Sequence, residues 1–213
     1  MSQHPRFLDM AKRLFWDLID RNERKYYAYW VISQIPCLFG NMLRGKYLSK
    51  RFKSCGKNLR VFAGARFRSM ENLVVGDEVE IGYDNFIQAL GGVTLGDNVM
   101  LAPGVKIWSV NHNYKDKNTL VYEQGQTKAQ VIIGNDVFIA SNAFISPGVT
   151  LPDGVVVSAG ALVGVKNYPP YAIIAGNPAR VVGYRRETKR DEQLDDEPTK
   201  CEIKTSNDLI NNG

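Results

Sequence analysis

The sequence predicts an all-β fold, a solenoid in which parallel strands wind around a narrow apolar interior. Two observations lead to this prediction. Aliphatic residues recur every six positions, and 16 of the 19 glycines lie between Gly56 and Gly183. A period of six fits neither an α-helix, which repeats every ~3.6 residues, nor a simple alternating strand. It suits short strands separated by corners, with three hexads completing one triangular coil.

The clearest part of the repeat covers six successive hexads. Its aliphatic positions are Ile133, Ile139, Ile145, Leu151, Val157 and Val163. A second row of small or aliphatic residues follows four positions later: Val137, Ala143, Val149, Val155 and Ala161. We expect the first row to point into the interior, where each buried side chain contributes about 1.5–3 kcal/mol. The residue after each aliphatic position is usually small, which lets the chain turn a corner.

The same register occurs earlier in the chain, with one irregularity. Its aliphatic positions are Val75, Ile81, Ile87, Leu95, Leu101 and Ile107, preceded by the weaker series Val61, Phe67 and Leu73. The register slips by two residues at Gly91 and Gly92. An ordinary sandwich of short strands is the alternative, but sandwiches rarely keep a strict six-residue step over so many repeats.

Charge divides the chain into three segments. Residues 1–60 have a net charge of +9, whereas residues 61–183 and 184–213 have −2 each. We therefore expect three parts: a basic amphipathic helical extension over 1–55, a β-helix domain over 56–183 with an extruded loop at 108–131, and a short, charged, mostly disordered tail over 184–213. Because the body is nearly neutral, bulk electrostatics would not recognise its ligand.

Cysteine usage and the N-terminal pattern favour a cytoplasmic protein. Cys37, Cys55 and Cys201 are scattered and odd in number, and no CxxC spacing occurs, which argues against a disulfide framework or a structural zinc site. The first residues lack the order of a secretory signal. The longest uncharged stretch, 26–43, contains Pro36, which would break a membrane-spanning helix.

Several motifs carry a resemblance to a known family. They are the I-G-x-x-V-x-I-[AG] register, the run IIGNDVFIASNAFISPGVTLPDGVVVSAGALV and the closing segment PPYAIIAGNPARVV. Between Ser54 and Tyr184 the chain resembles the hexapeptide-repeat acyltransferases, and more narrowly the sugar O-acetyltransferases of surface-polysaccharide biosynthesis. The resemblance implies a left-handed parallel β-helix, a homotrimer and acetyl-CoA as the acyl donor. The handedness comes from the resemblance alone, since it reverses the usual crossover rule.

The hexad row stops at Ile107 and resumes at Ile133, and the residues between them contain His112. A histidine in a loop is often an ordinary exposed residue. The resembling family, however, places its catalytic histidine about one coil after an IGDNVxxAP hexad, which corresponds here to Leu95–Val99 and Ala102–Pro103. A neutral imidazole can accept the proton of a sugar hydroxyl as the oxygen attacks a thioester. Asn111, Asp116 or a backbone carbonyl could orient the ring.

The remaining site residues are predicted with less support from the residues themselves. Candidates for acceptor binding are Asn85, Trp108 and Asn111; Asn85 could instead be an internal or corner asparagine, and Trp108 could simply pack at the loop root. The resemblance implies that the pantetheine arm lies along Ala140, Ser141 and Asn142, and that backbone groups come from Gly160 and Ala161. Lys166 and Arg180 would contact the phosphates, although Arg180 could equally form a surface ion pair. No metal site is expected, because the body holds one histidine.

We therefore expect an acetyltransferase that moves acetyl from acetyl-CoA to a sugar hydroxyl of a surface polysaccharide or its lipid-linked precursor. The alternatives are N-acetylation of an amino-sugar nucleotide and a non-catalytic, membrane-associated scaffold. The basic head, with Tyr and Trp beside apolar residues, is typical of a peripheral anchor on the inner face of the cell membrane, and equally of a helical cap on the first coil. Nucleic-acid binding is not expected, since the basic residues sit among large apolar ones.

Overall fold

A computed structural model describes residues 20–186 together with Lys12, Phe15, Trp16 and Ile19. The body is a parallel β-solenoid of about six turns, preceded by two helices, α1 (Arg21–Ser33) and α2 (Cys37–Ser49). This confirms the predicted fold class. The part of the predicted helical extension before residue 20 falls mostly outside the described residues, and so does the tail after residue 186.

Three sheets form the three sides of the solenoid. The first contains β1 (Ser54–Cys55), β4 (Leu73–Val75), β7 (Val93–Leu95), β12 (Val131–Ile133) and β15 (Thr150–Leu151). The second contains β2 (Arg60–Val61), β5 (Glu80–Ile81), β8 (Met100–Leu101), β13 (Phe138–Ile139), β16 (Val156–Val157), β18 (Ala172–Ala175) and an antiparallel final strand, β19 (Arg180–Tyr184). The third contains β3 (Arg66–Arg68), β6 (Phe86–Gln88), β9 (Lys106–Trp108), β14 (Phe144–Ile145) and β17 (Leu162–Val163).

The interior holds the two rows that the hexads predict. Every aliphatic position of the first row is buried, from Val61 near the first coil to Val163 near the last. The second row is buried as well, with one polar member, Asn85. Because the strands of successive coils stack their inward side chains on one another, the core is a continuous apolar column along the axis.

Coil length explains the register slip. Strands of the first sheet pair 20 residues apart in the early coils, as Leu73 with Val93, and 18 residues apart later, as Ile132 with Thr150. The extra residues of the early coils lie at the corner that leads from the third sheet to the first, where Met70–Asn72 forms a short 3-10 helix. The long insertion leaves the stack at this same corner, so Val93 pairs with Val131 across it.

Glycine follows several strands of the first sheet because the next coil comes very close. A Cβ on Gly76 would lie 2.3 Å from Oδ1 of Asp97, which accepts a hydrogen bond of 2.7 Å from the Asp77 N–H. Oδ1 of Asn135 takes the same place one coil further on, 2.8 Å from the Asp97 nitrogen. Side-chain oxygens thus satisfy corner N–H groups from coil to coil, and only a residue without Cβ leaves them room.

The two helices close the open end of the first coil. Arg44 of α2 is fully buried, and its Nε donates to the Val61 carbonyl at 2.8 Å. Its Nη1 donates to the Ile35 carbonyl at 2.7 Å, just beyond the end of α1, and Nη2 donates to Oδ1 of Asn41. Burial lowers the pKa of this guanidinium. A single side chain therefore binds both helices to the first coil, which is the capping role expected as one alternative.

Candidate active site

The long insertion forms a β-hairpin at the corner between the third and first sheets. Its strands are β10 (Val110–His112) and β11 (Gln126–Lys128), which pair antiparallel with His112 opposite Gln126. The hairpin is fixed at its root by Ser109, whose buried hydroxyl donates to the Gln88 carbonyl at 2.7 Å and accepts from the Gly91 N–H. The solenoid therefore holds His112 at a defined distance from the corner.

The imidazole of His112 is exposed and has one side-chain partner among the described residues. Nε2 of Gln126 lies 3.1 Å from Nε2 of His112. The direction of this hydrogen bond depends on the tautomer of the ring and on the orientation of the Gln126 amide. The contact therefore places the ring, and an imidazole in its neutral form can accept a proton.

Other loop residues stabilise the hairpin rather than the imidazole. Oδ1 of Asn111 accepts from the backbone N–H of His112 at 3.0 Å. The Asp116 carboxylate accepts from the Thr119 hydroxyl and the Asn118 N–H, and these bonds, in that order, lower its pKa below the ordinary value. We expect this turn to lose both bonds as the pH falls through the lowered pKa.

A cavity of about 720 Å³ opens beside His112. Its walls come from both strands of the hairpin, including Asn111 and Thr127, and from the neighbouring corner at Ser146 and Pro147. Hydroxyl and amide groups alternate on these walls with apolar surface, as in sites for small polar ligands. The cavity is large enough for a sugar ring.

Two of the predicted acceptor residues do not line this cavity. Asn85 lies in the interior, where Nδ2 donates to the Gly82 carbonyl at 3.1 Å and Oδ1 is buried without a partner in the described chain. The indole of Trp108 packs at the loop root between Phe86 and Phe144, with ring centroids 6.0 Å from each. Only Asn111 of the three lies at the cavity.

The predicted donor-binding residues form two pairs elsewhere on the surface. The Gly160 N–H donates to the Ser141 carbonyl at 2.9 Å, so the segment 140–142 and Gly160 adjoin on neighbouring coils. Nζ of Lys166 lies 3.4 Å from the Ala179 carbonyl, which places it next to Arg180. The N–H of Ala161 donates to the Ser158 carbonyl, so neither predicted backbone donor is free. None of the donor-binding residues lines the His112 cavity.

The Arg180 side chain is exposed and forms no ion pair with any residue between 20 and 186. In the same part of the chain, no three His, Cys, Asp or Glu side chains are grouped so that they could hold a metal ion. The guanidinium is thus available for an external anion.

The contact between Gln126 and His112 could not be predicted from the sequence. Gln126 carries no repeat signal, because it lies inside the interruption, and its place opposite His112 follows from the hairpin register alone. Gln124 holds the loop together by donating to the carbonyls of Asp116 and Thr119 at 2.8 Å.

Comparison with known proteins agrees with the repeat that forms the solenoid. A family model described as the hexapeptide repeat of succinyl-transferase matches residues 72–108 and 130–164. The galactoside O-acetyltransferase of Escherichia coli strain K12 is 33% identical over 143 residues, which cover 65% of this chain and 67% of that protein. The chain belongs to the hexapeptide-repeat acyltransferases. The predicted family is thereby confirmed.

Two solved structures of hexapeptide-repeat acetyltransferases resemble the whole body. A maltose O-acetyltransferase from Clostridium difficile 630 has a TM-score of 0.67 at 29% identity, over 80% of this chain and 89% of that chain. A galactoside acetyltransferase in complex with coenzyme A has a TM-score of 0.68 at 28% identity, over 76% of this chain and 78% of that chain. Both names describe acetyl transfer, and one of the two binds coenzyme A.

Proposed function

We propose that the protein transfers acetyl from acetyl-CoA to a sugar hydroxyl, with His112 as the general base. The observation that carries the proposal is the exposed imidazole of His112 beside a cavity, on a chain related to galactoside and maltose O-acetyltransferases. The acceptor is a sugar of a surface polysaccharide or of its lipid-linked precursor.

The chemistry needs a base because a protonated hydroxyl is a poor nucleophile. The imidazole removes the hydroxyl proton as the oxygen attacks the thioester carbonyl and forms a tetrahedral oxyanion. The carbon–sulfur bond then breaks, and the thiolate of coenzyme A leaves with the proton from the imidazolium. General base catalysis of this kind contributes roughly 10²–10⁴-fold, and correct placement of donor and acceptor supplies much of the rest.

Lys166 and Arg180 are suited to the phosphates of the donor. Both are exposed and adjoin through Ala179, and neither forms an ion pair with a described residue. The guanidinium can form two hydrogen bonds to one phosphate, whereas the ammonium acts as a point charge. The small residues of 140–142 would let the narrow pantetheine arm lie close to the backbone.

A homotrimer is part of the proposal. The His112 cavity lies at the corner that leads from the third sheet to the first, whereas residues 140–142 and Gly160 lie at the corner that leads from the second sheet to the third. A neighbouring protomer would bring one corner against the other and complete the site. It would also cover Met100 and Phe138, which lie side by side, exposed, on the outer face of the second sheet.

The decisive experiment measures thiol release from acetyl-CoA with a panel of galactosides, glucosides and amino-sugar nucleotides. His112→Ala protein is the matched control. We expect release with hydroxyl acceptors and a product whose acetyl group is removed by mild base, since esters hydrolyse under conditions that leave amides intact. Light scattering on the same sample should give the mass of a trimer.

Each alternative function has its own outcome. Release only with amino-sugar nucleotides, giving a product stable to mild base, would identify an N-acetyltransferase. No release with any acceptor, together with no binding of acetyl-CoA, would indicate a non-catalytic scaffold.

A further inference from the structure

Both N-terminal helices are apolar on two faces. One face packs on the first coil and includes the buried residues Tyr29, Arg44 and Leu48. The other face is exposed and forms what we call the apolar patch, whose members are 39–68% exposed: Tyr27, Trp30, Val31, Leu38, Phe39 and Met42. On each helix these residues follow helical spacing, so they form one stripe per helix.

Both stripes include residues next to the turn that joins the helices. Trp30 and Val31 belong to the last turn of α1, Leu38 and Phe39 to the first turn of α2, and the two helices are joined by a short turn at Pro36. Exposed apolar side chains grouped in this way favour an interaction site. Among the described residues, no helix has the length and hydropathy to cross a bilayer.

The segment that carries the patch contributes charge of one sign, while Glu78 of a neighbouring coil lines a cavity together with Leu38 and Met42. From Arg24 to Met70 the chain contains 11 Lys and Arg and no Asp or Glu. Lys46, Lys50 and Lys53 follow the apolar patch along α2 and beyond it, are exposed, and form no ion pair with any described residue. A neutral apolar partner would gain nothing from this excess, whereas an anionic surface would.

A cavity beside Trp30 has the same character. It measures about 510 Å³ and is lined by Trp30, Tyr26, Arg66 and Arg68, with Asp84 as its one acidic side chain. Arg66 and Arg68 point to the same side of β3, and neither is ion-paired within the described chain. Guanidinium groups next to aromatic rings suit phosphate esters at the level where lipid headgroups meet acyl chains.

We propose that the helical end of the solenoid binds the surface of an anionic phospholipid bilayer. The apolar patch enters the boundary between headgroups and acyl chains, and Lys46, Lys50 and Lys53 contact the phosphates. Aromatic and aliphatic side chains ringed by Lys and Arg are the pattern of interfacial helices. This inference does not depend on acetyl transfer, but it would deliver the catalytic hairpin to acceptors carried on membrane lipids.

Vesicle co-sedimentation of the full chain tests the inference. We expect the protein to bind phosphatidylcholine vesicles that contain phosphatidylglycerol, to bind pure phosphatidylcholine weakly, and to be released by high salt. Trp30→Ser with Phe39→Ser should weaken binding at least about tenfold, because two insertion anchors are lost. Lys46→Gln with Lys50→Gln and Lys53→Gln should weaken it similarly on the anionic vesicles only.

Val182→Ser is the matched control, since Val182 is equally exposed but lies on the final strand, far from the helices in the coil order. Its binding should equal that of the unaltered protein, and thermal denaturation should show that every variant is folded.

Unchanged vesicle binding by both helix variants would overturn the inference. The inference would also fail if the unaltered protein did not bind vesicles and the double variant Trp30→Ser with Phe39→Ser had a lower oligomer mass. That result would identify the patch as an interface between copies of the chain. Acetyl transfer is not part of the readout, so this failure is distinct from a failure of the proposed reaction.

Discussion

The coil stack and the histidine hairpin are stabilised in different ways. In the stack, backbone groups bond from coil to coil, and one aliphatic column fills the interior. In the hairpin, side chains do most of this work: Asn113 donates to the Gln124 carbonyl at 2.9 Å and accepts from Thr127 at 2.6 Å. Substitutions in the two regions should therefore have different effects. The candidate site residues at the hairpin contribute nothing to the apolar column, so replacing them should affect activity rather than stability.

Replacing the imidazole should give the largest effect on activity. We expect His112→Ala to lower kcat at least about 10²-fold, since the general base is lost. Its thermal midpoint should remain that of the unaltered protein, because the ring is exposed and touches no interior residue. Steady-state kinetics and differential scanning calorimetry measure both quantities. A variant with near-normal turnover would remove His112 from the mechanism.

A substitution in the coil stack should lower the stability of the fold rather than kcat. Gly76→Ala would put a Cβ 2.3 Å from Oδ1 of Asp97 and 2.7 Å from the Gly96 backbone, so we expect a loss of about 1–3 kcal/mol in the free energy of unfolding. Gly164→Ala is the control, because nothing lies within 4 Å of its added Cβ. Equal stability of the two variants in urea denaturation would contradict the close-approach explanation for the corner glycines.

The smallest predicted effect concerns Gln126, which we take to position the imidazole. Gln126→Ala should lower kcat by a few fold, about 1 kcal/mol or less of transition-state stabilisation, as expected for one neutral hydrogen bond. Gln126→Glu should move the acid limb of the kcat/KM profile to higher pH, because a carboxylate beside the ring favours the imidazolium. A structural role alone would leave the pH profile where it is.

The periodic part of the molecule could be predicted from the sequence almost residue by residue. The aliphatic position of each hexad predicts which side chain is buried, and residues such as Ile139 and Val157 are buried as the six-residue period predicts. The reason is physical: each side of every coil must present apolar side chains to the same narrow interior, so the constraint repeats along the chain. Even the slip at Gly91 and Gly92 corresponds to a real change in coil length.

The site could be predicted only in part. The family resemblance predicted a role for His112. The position of Gln126 opposite His112 depends on the register of the hairpin, which the six-residue repeat does not predict. Asn85 illustrates the opposite case, a polar residue that breaks a row and yet lies in the interior of the protomer. The exposure of the two helical stripes could not be predicted from the sequence. Spacing shows that a helix has apolar residues, but it does not show which of its faces the first coil covers.

The two extra residues of the early coils and the long hairpin occur at the same corner of the triangle. The strands on either side of the long hairpin keep the pairing that uninterrupted neighbours have, with Thr94 opposite Ile132 just as Val74 is opposite Thr94. The corner therefore works as a graft point: a segment of another length and sequence could replace the hairpin while the three sheets stay in register. Under the proposed mechanism, such an exchange would alter the surroundings of the acceptor and leave residues 140–142 and Gly160 in place.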